Sequence, residues 1–505
     1  MTLLNIIFEN LFNKCINQEI ILIHSDITKL LYVNEINLKE LFLDFFNKLI
    51  NNKKTILIPY FNWDFCNEKK YNYLNSKSKV GILSKWCYES NLFTQTNDPI
   101  YSFLVAGKNK SMFLKKNYTS AFGKDSIFDI INNNNSLILM INNEHFTMVH
   151  YYEELLQVKY RFIKNFNGSV IFNNELINNY DYKMNVRNYD LCSIHDNCFK
   201  KYKNFESVNT EIYEDNFYIH YIDINQFKKE INESLRYDYL FYIKNKIEVS
   251  HKLYSKNLIK TFKDEDQYMF SDISGDYNPL HFDKNLSKDL LYQEWILHGM
   301  NGVLTALNLL IQDKDFKFKI FIKKINIIYY KPIFINHQIN FEYIFENNKI
   351  IIKLLEKNEY ISNITIEYEL EEINNYKLLE YENTLFEVKE PNFIDTNKFD
   401  EYNESIKIEA NIKKLKKYYP FILHYFNLEQ IILLISISKN AGMNYPGLNS
   451  ICMNIFVEFK NKEYNNNIFF KFYDFNHSIL TINLESENIN GKIIVPTNNS
   501  ISKTR

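Results

Sequence analysis

The chain has 505 residues, and its 59 Lys and Arg side chains nearly balance its 61 Asp and Glu side chains, for a formal net charge of -2. A near-neutral charge gives no overall field to attract nucleic acid or an anionic membrane, so neither is an expected partner. The length predicts about three domains of ordinary size, each able to bury a core.

The cysteine content and the first residues favour a cytoplasmic protein. Six cysteines over this length do not make a disulfide framework, and this usage suits a reducing compartment. The N-terminus lacks a basic segment and carries Glu9 and Asn10, so we expect no secretory signal. The apolar stretch at 431–437 is too short to cross a bilayer, and no membrane insertion is expected.

Helical and strand patterns alternate along the first part of the chain. Leu3–Phe12 has helical apolar spacing, and Glu19–Ser25 has the apolar run of a buried strand. A helical pattern over Leu38–Ile50 precedes a second buried strand, Thr55–Pro59, and a third follows at Ser136–Ile141. This order predicts an α/β layer with its ligands at the strand ends.

Three polar side chains with a spacing of three come next. Thr147, His150 and Glu153 would share one face of a helix. An imidazole held near a substrate, with a carboxylate placed to orient it or to balance its charge, is an acid–base arrangement.

Six short motifs follow one another between Ile20 and about Leu240. They are Leu22-Ile23-His24-Ser25, Ile58-Pro59, Gly81-Ile82-Leu83-Ser84, Asp98-Pro99-Ile100-Tyr101-Ser102, Phe122-Gly123-Lys124-Asp125-Ser126 and Thr147-x-x-His150-x-x-Glu153. In this order they resemble the aminoglycoside 3-N-acetyltransferase family. The resemblance implies acyl transfer from a coenzyme A thioester, as co-substrate, to an amine, with His150 as the base and Glu153 supporting it.

The same resemblance implies further contacts. Four residues are expected to bind substrate or CoA: His24, Ser25, Ser102 and Thr147. One departure stands out, because Gln95-Thr96 occupies the place where an Arg-Ser or Arg-Thr pair is common. Arg161 and Arg187 are cations that could bind a negatively charged substrate or the CoA phosphates.

A small cluster of potential metal ligands also lies in this region. Cys192, His195 and Cys198 are close in sequence, but they supply only three ligands with no matching second pair. We therefore expect no metal.

An acid and a base share one turn in the second half of the chain, within Phe270–Asp283. Gly275 and Asn278-Pro279 bend the backbone, so Asp276 and His281 can face one point. A carboxylate and an imidazole within reach of one water can take one proton from it and deliver another. Adding water to an activated double bond, or removing it, requires this.

A second motif, His298-Gly299-Met300, leads into the helix-like run 303–311. A Gly at a helix start lets a ligand carbonyl approach backbone N–H groups, which stabilise developing negative charge. The two motifs resemble the MaoC-like hydratase/dehydratase family of the hotdog fold. The resemblance implies reversible hydration of a 2-enoyl thioester by Asp276 and His281, with the Gly299 N–H polarising the carbonyl. Two further residues are expected to bind substrate: Asn278 and His298.

Strand patterns fill the rest of the chain. Four follow the His-Gly-Met helix, over 321–330, 338–345, 349–355 and 362–370, with a short one at 331–334. A second helix pattern, Leu428–Ser438, precedes the turn 441–450 and strands at 452–459, 468–473 and 479–484. This order predicts a second, divergent hotdog unit without the acid–base motif.

The sequence therefore predicts an α/β N-terminal acyltransferase domain followed by an α+β hotdog region, arranged as a double hotdog. The expected domains are 1–245, acyltransferase; 246–373, hydratase; and 374–505, the divergent hotdog unit. A fused second copy would cover the exposed edge of the first, and a homo-oligomer is also an expectation.

The expected function is acyl transfer from acyl-CoA, or acyl carrier protein, to an amino sugar, coupled to hydration of the acyl chain. Two alternatives stay open. In one, the hotdog halves are a non-catalytic thioester-binding or oligomerisation module, since Leu307 and Asn308 stand where the family's helix often has a small or polar residue. In the other, the protein acetylates aminoglycoside antibiotics.

Overall fold

The structure is a computed structural model that describes residues 3–28, 30, 37–114, 116–191, 199–213, 217–283, 294–373, 383–392, 403–444, 447, 451–460, 468–476, 479–486 and 488–496. Cys192, His195 and Cys198 lie outside the described residues. The chain forms two compact units, Met1–Lys246 and Ile247–Arg505.

The first unit contains ten strands and nine helices among its described residues. In chain order they are α1 (Leu3–Cys15), β1 (Ile20–Ser25), α2 (Leu38–Asn51), β2 (Thr55–Pro59), α3 (Asp64–Glu68), β3 (Lys70–Asn72), α4 (Ile82–Glu89), β4 (Thr94–Gln95), β5 (Phe103–Gly107), α5 (Ser111–Leu114), α6 (Ile127–Asn132), β6 (Ser136–Ile141), α7 (Val149–Leu155), β7 (Arg161–Phe172), β8 (Glu175–Arg187), α8 (Phe199–Tyr202), β9 (Val208–Ile212), β10 (Tyr218–Asp223) and α9 (Ile224–Tyr237).

A seven-stranded mixed sheet forms the centre of this unit, in the order β4-β5-β2-β1-β6-β10-β9. β1 pairs in parallel with both β2 and β6, which confirms the three predicted strands. Their apolar runs are continuous because these strands are buried on both faces. The carboxyl end of β1 places His24 and Ser25 at the sheet edge where α/β folds bind ligands.

A long hairpin, β7 and β8, forms a separate three-stranded sheet with β3. Asn173 and Asn174 connect the two strands with φ of 49° and 67°, the positive values that a type I′ turn requires. β7 begins at Arg161, six residues after the end of α7, so the hairpin carries this side chain back beside that helix.

The second unit follows from α10 onward. Its elements are α10 (Lys246–Tyr254), β11 (Ile259–Thr261), α11 (Asp264–Ser274), a 3-10 turn (Pro279–His281), α12 (Gly299–Leu310), β12 (Phe318–Tyr329), β13 (Gln338–Glu346), β14 (Lys349–Glu356), β15 (Glu359–Glu372), β16 (Asn403–Ile406), α13 (Ile412–Tyr418), α14 (Pro420–Tyr425), α15 (Leu428–Lys439), a π-helical turn (Asn440–Asn444), β17 (Asn454–Phe459), β18 (Ile468–Asn476), β19 (Ile479–Glu485) and β20 (Ile489–Pro496).

One antiparallel sheet contains the ten strands that the structure describes in this unit, in the order β11-β13-β14-β15-β12-β17-β20-β19-β18-β16. The order mirrors itself about the β12–β17 pair. In each half, the first strand after the long helix lies at the centre of the sheet: β12 follows α12, and β17 follows α15. Outward from the centre come β15, β14 and β13 in the first half, and β20, β19 and β18 in the second. The sheet is continuous across the boundary predicted at 373/374.

The strand expected over 331–334 is not formed. This stretch contributes only the isolated bridge between Ile296 and Phe334. Pro332 has no N–H to donate to a ladder, which accounts for the difference.

Among the described residues, no helix is both long enough and apolar enough to cross a membrane.

Candidate active sites

The first site is built on α7. His150 and Glu153 lie one turn apart on this helix, and Nδ1 of His150 is 2.7 Å from Oε2 of Glu153. The expectation that these two share a helix face is confirmed. Thr147, however, is not on that face, because α7 begins only at Val149. Thr147 lies in the preceding turn, where its carbonyl accepts the His150 N–H at 3.1 Å.

Two residues after α7 complete the cluster around Glu153. The Tyr160 hydroxyl donates to Oε1 of Glu153 at 2.9 Å, and Nε of Arg161 lies 2.8 Å from Oε2. The guanidinium also donates to the carbonyl of Asn185 at 3.0 Å. Arg161 was predicted as a cation for an anionic ligand. Its side chain is instead buried and paired with the carboxylate that orients His150, because a buried carboxylate requires a charge partner.

These contacts decide the protonation of His150. Burial and the charge of Arg161 together lower its pKa, against the opposing effect of Glu153, so the imidazole is neutral near pH 7. Burial raises the pKa of the Glu153 carboxyl, but Arg161 and His150 outweigh it and hold the pKa below its usual value. Nδ1 of His150 faces two partners, Oε2 of Glu153 at 2.7 Å and a guanidinium nitrogen of Arg161 at 2.9 Å. In the tautomer that carries its proton on Nδ1, the ionised Glu153 accepts that proton's hydrogen bond and the lone pair of His150 lies on Nε2. His150 is thus arranged as a base.

An apolar cleft of about 400 Å³ lies beside the turn that precedes α7. Three residues expected to bind substrate or CoA line it together: His24, Ser25 and Thr147. Its walls include Ile58, Pro59, Phe61, Trp63 and Leu83. The structure therefore brings the end of β1 and the turn before His150 to one cavity.

A second, more polar cavity of about 520 Å³ shares part of this lining. Ser25 and His145 contribute to both cavities, whereas Asp26 and Glu144 line only the second. The carboxylates favour a polar or cationic group there over a phosphate.

Ser102 does not line either cavity. Its hydroxyl is buried and donates to the carbonyl of Thr96 at 3.0 Å, so it closes a loop rather than meeting a ligand. The neighbouring Asp98 is also structural, because it accepts backbone N–H bonds from Ile100 and Tyr101 and the Tyr182 hydroxyl bond. Burial raises the pKa of Asp98 to about 7.

The second site is the turn between α11 and α12. Gly275 ends α11 with φ of 76°, a left-handed conformation that favours glycine. The Asn278 side chain accepts the Leu280 N–H at 3.1 Å and begins the 3-10 turn that carries His281. The predicted bend is confirmed, and Asp276 and His281 lie on its two sides.

Asp276, His281 and His298 converge in the second unit, with their ligand atoms all within 4.8 Å of one another. The two imidazole rings stack with centroids 3.7 Å apart. Nε2 of His298 lies 3.7 Å from Oδ1 of Asp276 and 3.2 Å from its carbonyl oxygen. His298, predicted to bind substrate, is buried between the catalytic candidates and contacts them directly.

Gln267 on α11 organises this cluster and was not singled out in the sequence. Its amide donates to the carbonyls of His281 and Ile296 at 2.9 and 2.8 Å. Its oxygen faces the backbone N–H and Nδ1 of His298 at 3.2 and 3.1 Å. Because both amide protons are used, the oxygen must face His298, so Nδ1 of that ring carries a proton.

His281 has its own anchor. Its Nδ1 lies 3.0 Å from the Ile296 carbonyl, so Nδ1 carries the proton and Nε2 keeps a lone pair. Burial and His298 lower the pKa of His281 to about 3, against the opposing effect of Asp276. A neutral imidazole beside a carboxylate can exchange protons with a water.

The same three side chains are of the kinds that bind transition metals. One carboxylate and two imidazoles within 4.8 Å are a possible ligand set for a metal such as zinc. The expectation that the chain binds no metal stays a prediction.

Gly299 is the first residue of α12, where the backbone N–H has no partner within the helix. The ring of Tyr329 packs beside it, and a Cβ at Gly299 would lie 2.9 Å from that ring. Only glycine leaves room for both the ring and an approaching carbonyl.

The π-helical turn after α15 covers the Asp276 side of the cluster. A Cβ at Gly442 would lie 2.7 and 2.8 Å from the two carboxylate oxygens of Asp276. The Asn278 amide donates to the carbonyls of Gly442 and Gly447 at 2.6 and 3.2 Å. Asn278, predicted to bind substrate, therefore ties the turn that carries Asp276 and His281 to the segment after α15. No local pattern predicts this, because the residues are more than 160 positions apart.

Comparison with protein families gives two matches. Residues 22–221 match the family described as aminoglycoside 3-N-acetyltransferase, and residues 245–367 match the family described as MaoC like domain. A comparison with curated proteins found no match.

Solved structures similar to the chain include YokD protein from Bacillus subtilis, with 16% identity over 46% of this chain and 97% of that one and a TM-score of 0.36. They also include the aminoglycoside acetyltransferase AAC(3)-IVa apoenzyme, with 13% identity over 46% and 90% and a TM-score of 0.37. AAC-IIIb, in a binary complex with CoASH, has 10% identity over 45% and 96% and a TM-score of 0.38.

TM-scores this low support no inference about the function of this chain. The family matches confirm both resemblances noted in the sequence. The chain joins an aminoglycoside 3-N-acetyltransferase-like region to a MaoC-like region.

Proposed function

We propose that the protein is a bifunctional acyl-thioester enzyme, in which the first unit transfers an acyl group from CoA to an amine and the second sets the hydration state of the acyl chain. The observation that carries the proposal is the His150–Glu153–Arg161 cluster, in which the imidazole pairs with a buried carboxylate three residues after Thr147 of the cleft. A neutral imidazole oriented by an ionised carboxylate is suited to deprotonate an attacking amine.

The transfer step follows from this geometry. The amine nitrogen attacks the thioester carbonyl while Nε2 of His150 takes its proton, and Glu153 stabilises the imidazolium that forms. The C–S bond then breaks, and the proton on His150 passes to the departing thiolate. The products are an amide and free CoA, and His150 returns to its neutral state.

The hydration step uses the cluster around Asp276. A water oxygen bonds to C3 of a 2-enoyl thioester as one of its protons passes to the Asp276–His281 pair. A proton from the pair passes to C2, so the pair ends as it began. The Gly299 N–H at the start of α12 would stabilise the negative charge that develops on the thioester oxygen.

The mirrored strand order of the second unit supports a double hotdog as its architecture. Each half pairs one long helix with five strands, and the β12–β17 pair joins the halves. Only the first half carries the acid–base motif. The second half then serves to cover the catalytic turn through Gly442.

The acceptor we propose is an amino sugar of surface-glycan assembly, acylated in the cytoplasm from CoA or from an acyl carrier protein. Two acyl-thioester sites in one chain favour a shared acyl group, such as 3-hydroxybutyryl made from crotonyl. The polar cavity with Asp26 and Glu144 suits the cationic, hydroxyl-rich character of such an acceptor.

A second candidate is a transferase whose MaoC-like unit binds a thioester without hydrating it. The tight approach of Gly442 to Asp276 and of Tyr329 to Gly299 favours it, since both narrow the space for a substrate. Leu307 on α12 is also fully packed, and the Asn308 side chain accepts the Phe421 N–H at 3.1 Å rather than facing a ligand.

The two sites can be tested separately in the full chain. His150→Ala should lower CoA release with an amino-sugar acceptor by about 10² to 10⁴-fold, the usual contribution of a general base. Asp276→Asn should abolish the loss of enoyl absorbance from crotonyl-CoA. A full transfer rate in His150→Ala would remove His150 from the mechanism. Hydration by Asp276→Asn at the rate of the unmutated chain would contradict the proposed hydratase site.

A further inference from the structure

The apolar cleft of the first unit contains a buried polar atom that the protein does not use. His24 is 6% exposed, lines the cleft, and its Nε2 has no hydrogen-bond partner. Burying a polar atom without a partner costs free energy, so a site that retains one is arranged for a ligand that supplies the bond.

The walls around His24 define the rest of the ligand. Ile58, Pro59, Phe61 and Trp63 line the same cleft, so most of its occupant must be apolar. A volume of about 400 Å³ is in the range of small-molecule sites and is far larger than an acetyl group needs. A short chain with one polar substituent fits this combination.

The charge state of His24 narrows the polar substituent. Burial, with a smaller contribution from His145, lowers the pKa of His24 to about 4, so the ring is neutral near pH 7. A neutral ring nitrogen donates or accepts according to its tautomer. A hydroxyl group can complement either tautomer, because it is both donor and acceptor, whereas a carbonyl or an ammonium complements only one.

We propose that the cleft holds the acyl chain of a short hydroxyacyl thioester, with the chain's hydroxyl bonded to Nε2 of His24. Thr147 lines the same cleft and lies three residues before the proposed base, and its carbonyl accepts the His150 N–H. The assignment rests on the proposed acyl transfer and specifies its donor. His24 then selects the hydrated product of the second unit over the saturated chain.

Binding of (R)-3-hydroxybutyryl-CoA and butyryl-CoA, measured by isothermal titration calorimetry, tests this. All proteins carry Asp276→Asn, so that the hydroxyacyl chain is not dehydrated during the titration. With His24 present, the hydroxyacyl thioester should bind about 3- to 10-fold more tightly, the ratio expected of one neutral hydrogen bond. His24→Leu should bring the ratio close to one, and His24→Gln, which keeps a polar group, should retain part of it.

His220→Leu is the matched control. His220 is also buried with an unpartnered Nε2, but it does not line the cleft, so its loss should leave the ratio unchanged. Any binding by the second unit is common to all variants and cancels in the comparison.

An unchanged ratio in His24→Leu overturns the assignment. Equal weakening of both thioesters also overturns it, because His24 would then contact the carrier arm rather than the chain. Loss of amine acylation with every donor, while the binding ratio is intact, counts against the proposed transfer and not against this role of His24.

Discussion

At the scale of single residues, the first site depends on the charge balance around one carboxylate. Glu153 is buried, and its two carboxylate oxygens contact His150, Tyr160 and Arg161. Without Arg161 the carboxylate would face only neutral partners, and burial would favour its protonated form. The guanidinium keeps Glu153 ionised and at the same time lowers the pKa of His150.

The pH dependence of transfer should report this balance. Because the pKa of His150 is lowered, kcat/KM should fall only as the pH drops below the ordinary histidine value of about 6.5. Arg161→Gln removes a cation that lowers this pKa, so the acid limb should move to higher pH. Arg187→Gln is the control, since Arg187 is the weakest of the contributors to His150 and should shift the limb less. Equal shifts in the two variants would contradict the assigned role of Arg161.

In the second site, Gln267 is the supporting residue, as Arg161 is in the first, and it orients the histidines through hydrogen bonds. It satisfies the carbonyls of His281 and Ile296 and the backbone N–H and Nδ1 of His298. The two carbonyls keep a second donor each, Nδ1–H of His281 for Ile296 and the indole N–H of Trp295 for His281. The buried N–H and Nδ1 of His298 would lose the glutamine oxygen and cannot turn to water.

Gln267→Leu should therefore lower the free energy of unfolding by about 2 to 4 kcal/mol, from the two unsatisfied buried groups of His298. Gln312→Leu is the matched control, because Gln312 also bridges a backbone N–H and carbonyl, those of Lys256, but does so near solvent. It should cost less than about 1 kcal/mol. Urea denaturation of both variants measures the difference, and equal losses would show that burial of the Gln267 network is not the cause.

At the scale of elements, local sequence patterns predicted those strand bounds and helix ends that depend on neighbouring residues. The continuous apolar runs gave the bounds of β1, β2 and β6 to within one residue, and Gly275 marked the end of α11. The prediction that Thr147 shares a helix face with His150 and Glu153 was wrong, because residue spacing alone does not determine where a helix begins. The helix start at Val149 depends on how the chain leaves β6.

The parts of the sites that the sequence did not reveal depend on how the chain turns back between elements, over a few residues for Arg161 and over more than 160 for Gly442. Arg161 resembles any surface cation until the hairpin of β7 and β8 carries it to Glu153. Gly442 belongs to an unremarkable turn until that turn packs on Asp276. Motif order pointed to the candidate acid and base, whereas their supporting groups required the fold.

The π-helical turn that covers Asp276 gives a test at this scale. Gly442→Ala would place a methyl group against both carboxylate oxygens, and displacement of the carboxylate should lower hydration of crotonyl-CoA by about 10- to 100-fold. Gly302→Ala in α12 is the control, because the new methyl group would meet the flexible side-chain tips of Ile333 and Leu354 and no carboxylate. Hydration rates of the two variants are compared with the unmutated chain. Similar losses in both would show that the approach to Asp276 is not the determining contact.

At the scale of the whole molecule, the proposed function divides the chemistry of one acyl thioester between the two units. The first contains the His150 cluster with its cleft, and the second contains the Asp276 cluster inside a single ten-stranded sheet. Each site is complete within its own unit in the described part of the chain. A substitution in one site should therefore leave the chemistry of the other intact.

Mass spectrometry of the product formed from crotonyl-CoA and a panel of nucleotide-linked amino sugars tests whether one chain both hydrates and transfers the acyl group. The unmutated chain should give the 3-hydroxybutyryl amide, one water heavier than the crotonyl amide. Asp276→Asn should lose the hydrated product, and His150→Ala should form hydrated thioester without amide. The hydrated amide in equal yield from Asp276→Asn, or no amide of either kind from the unmutated chain, would contradict the account.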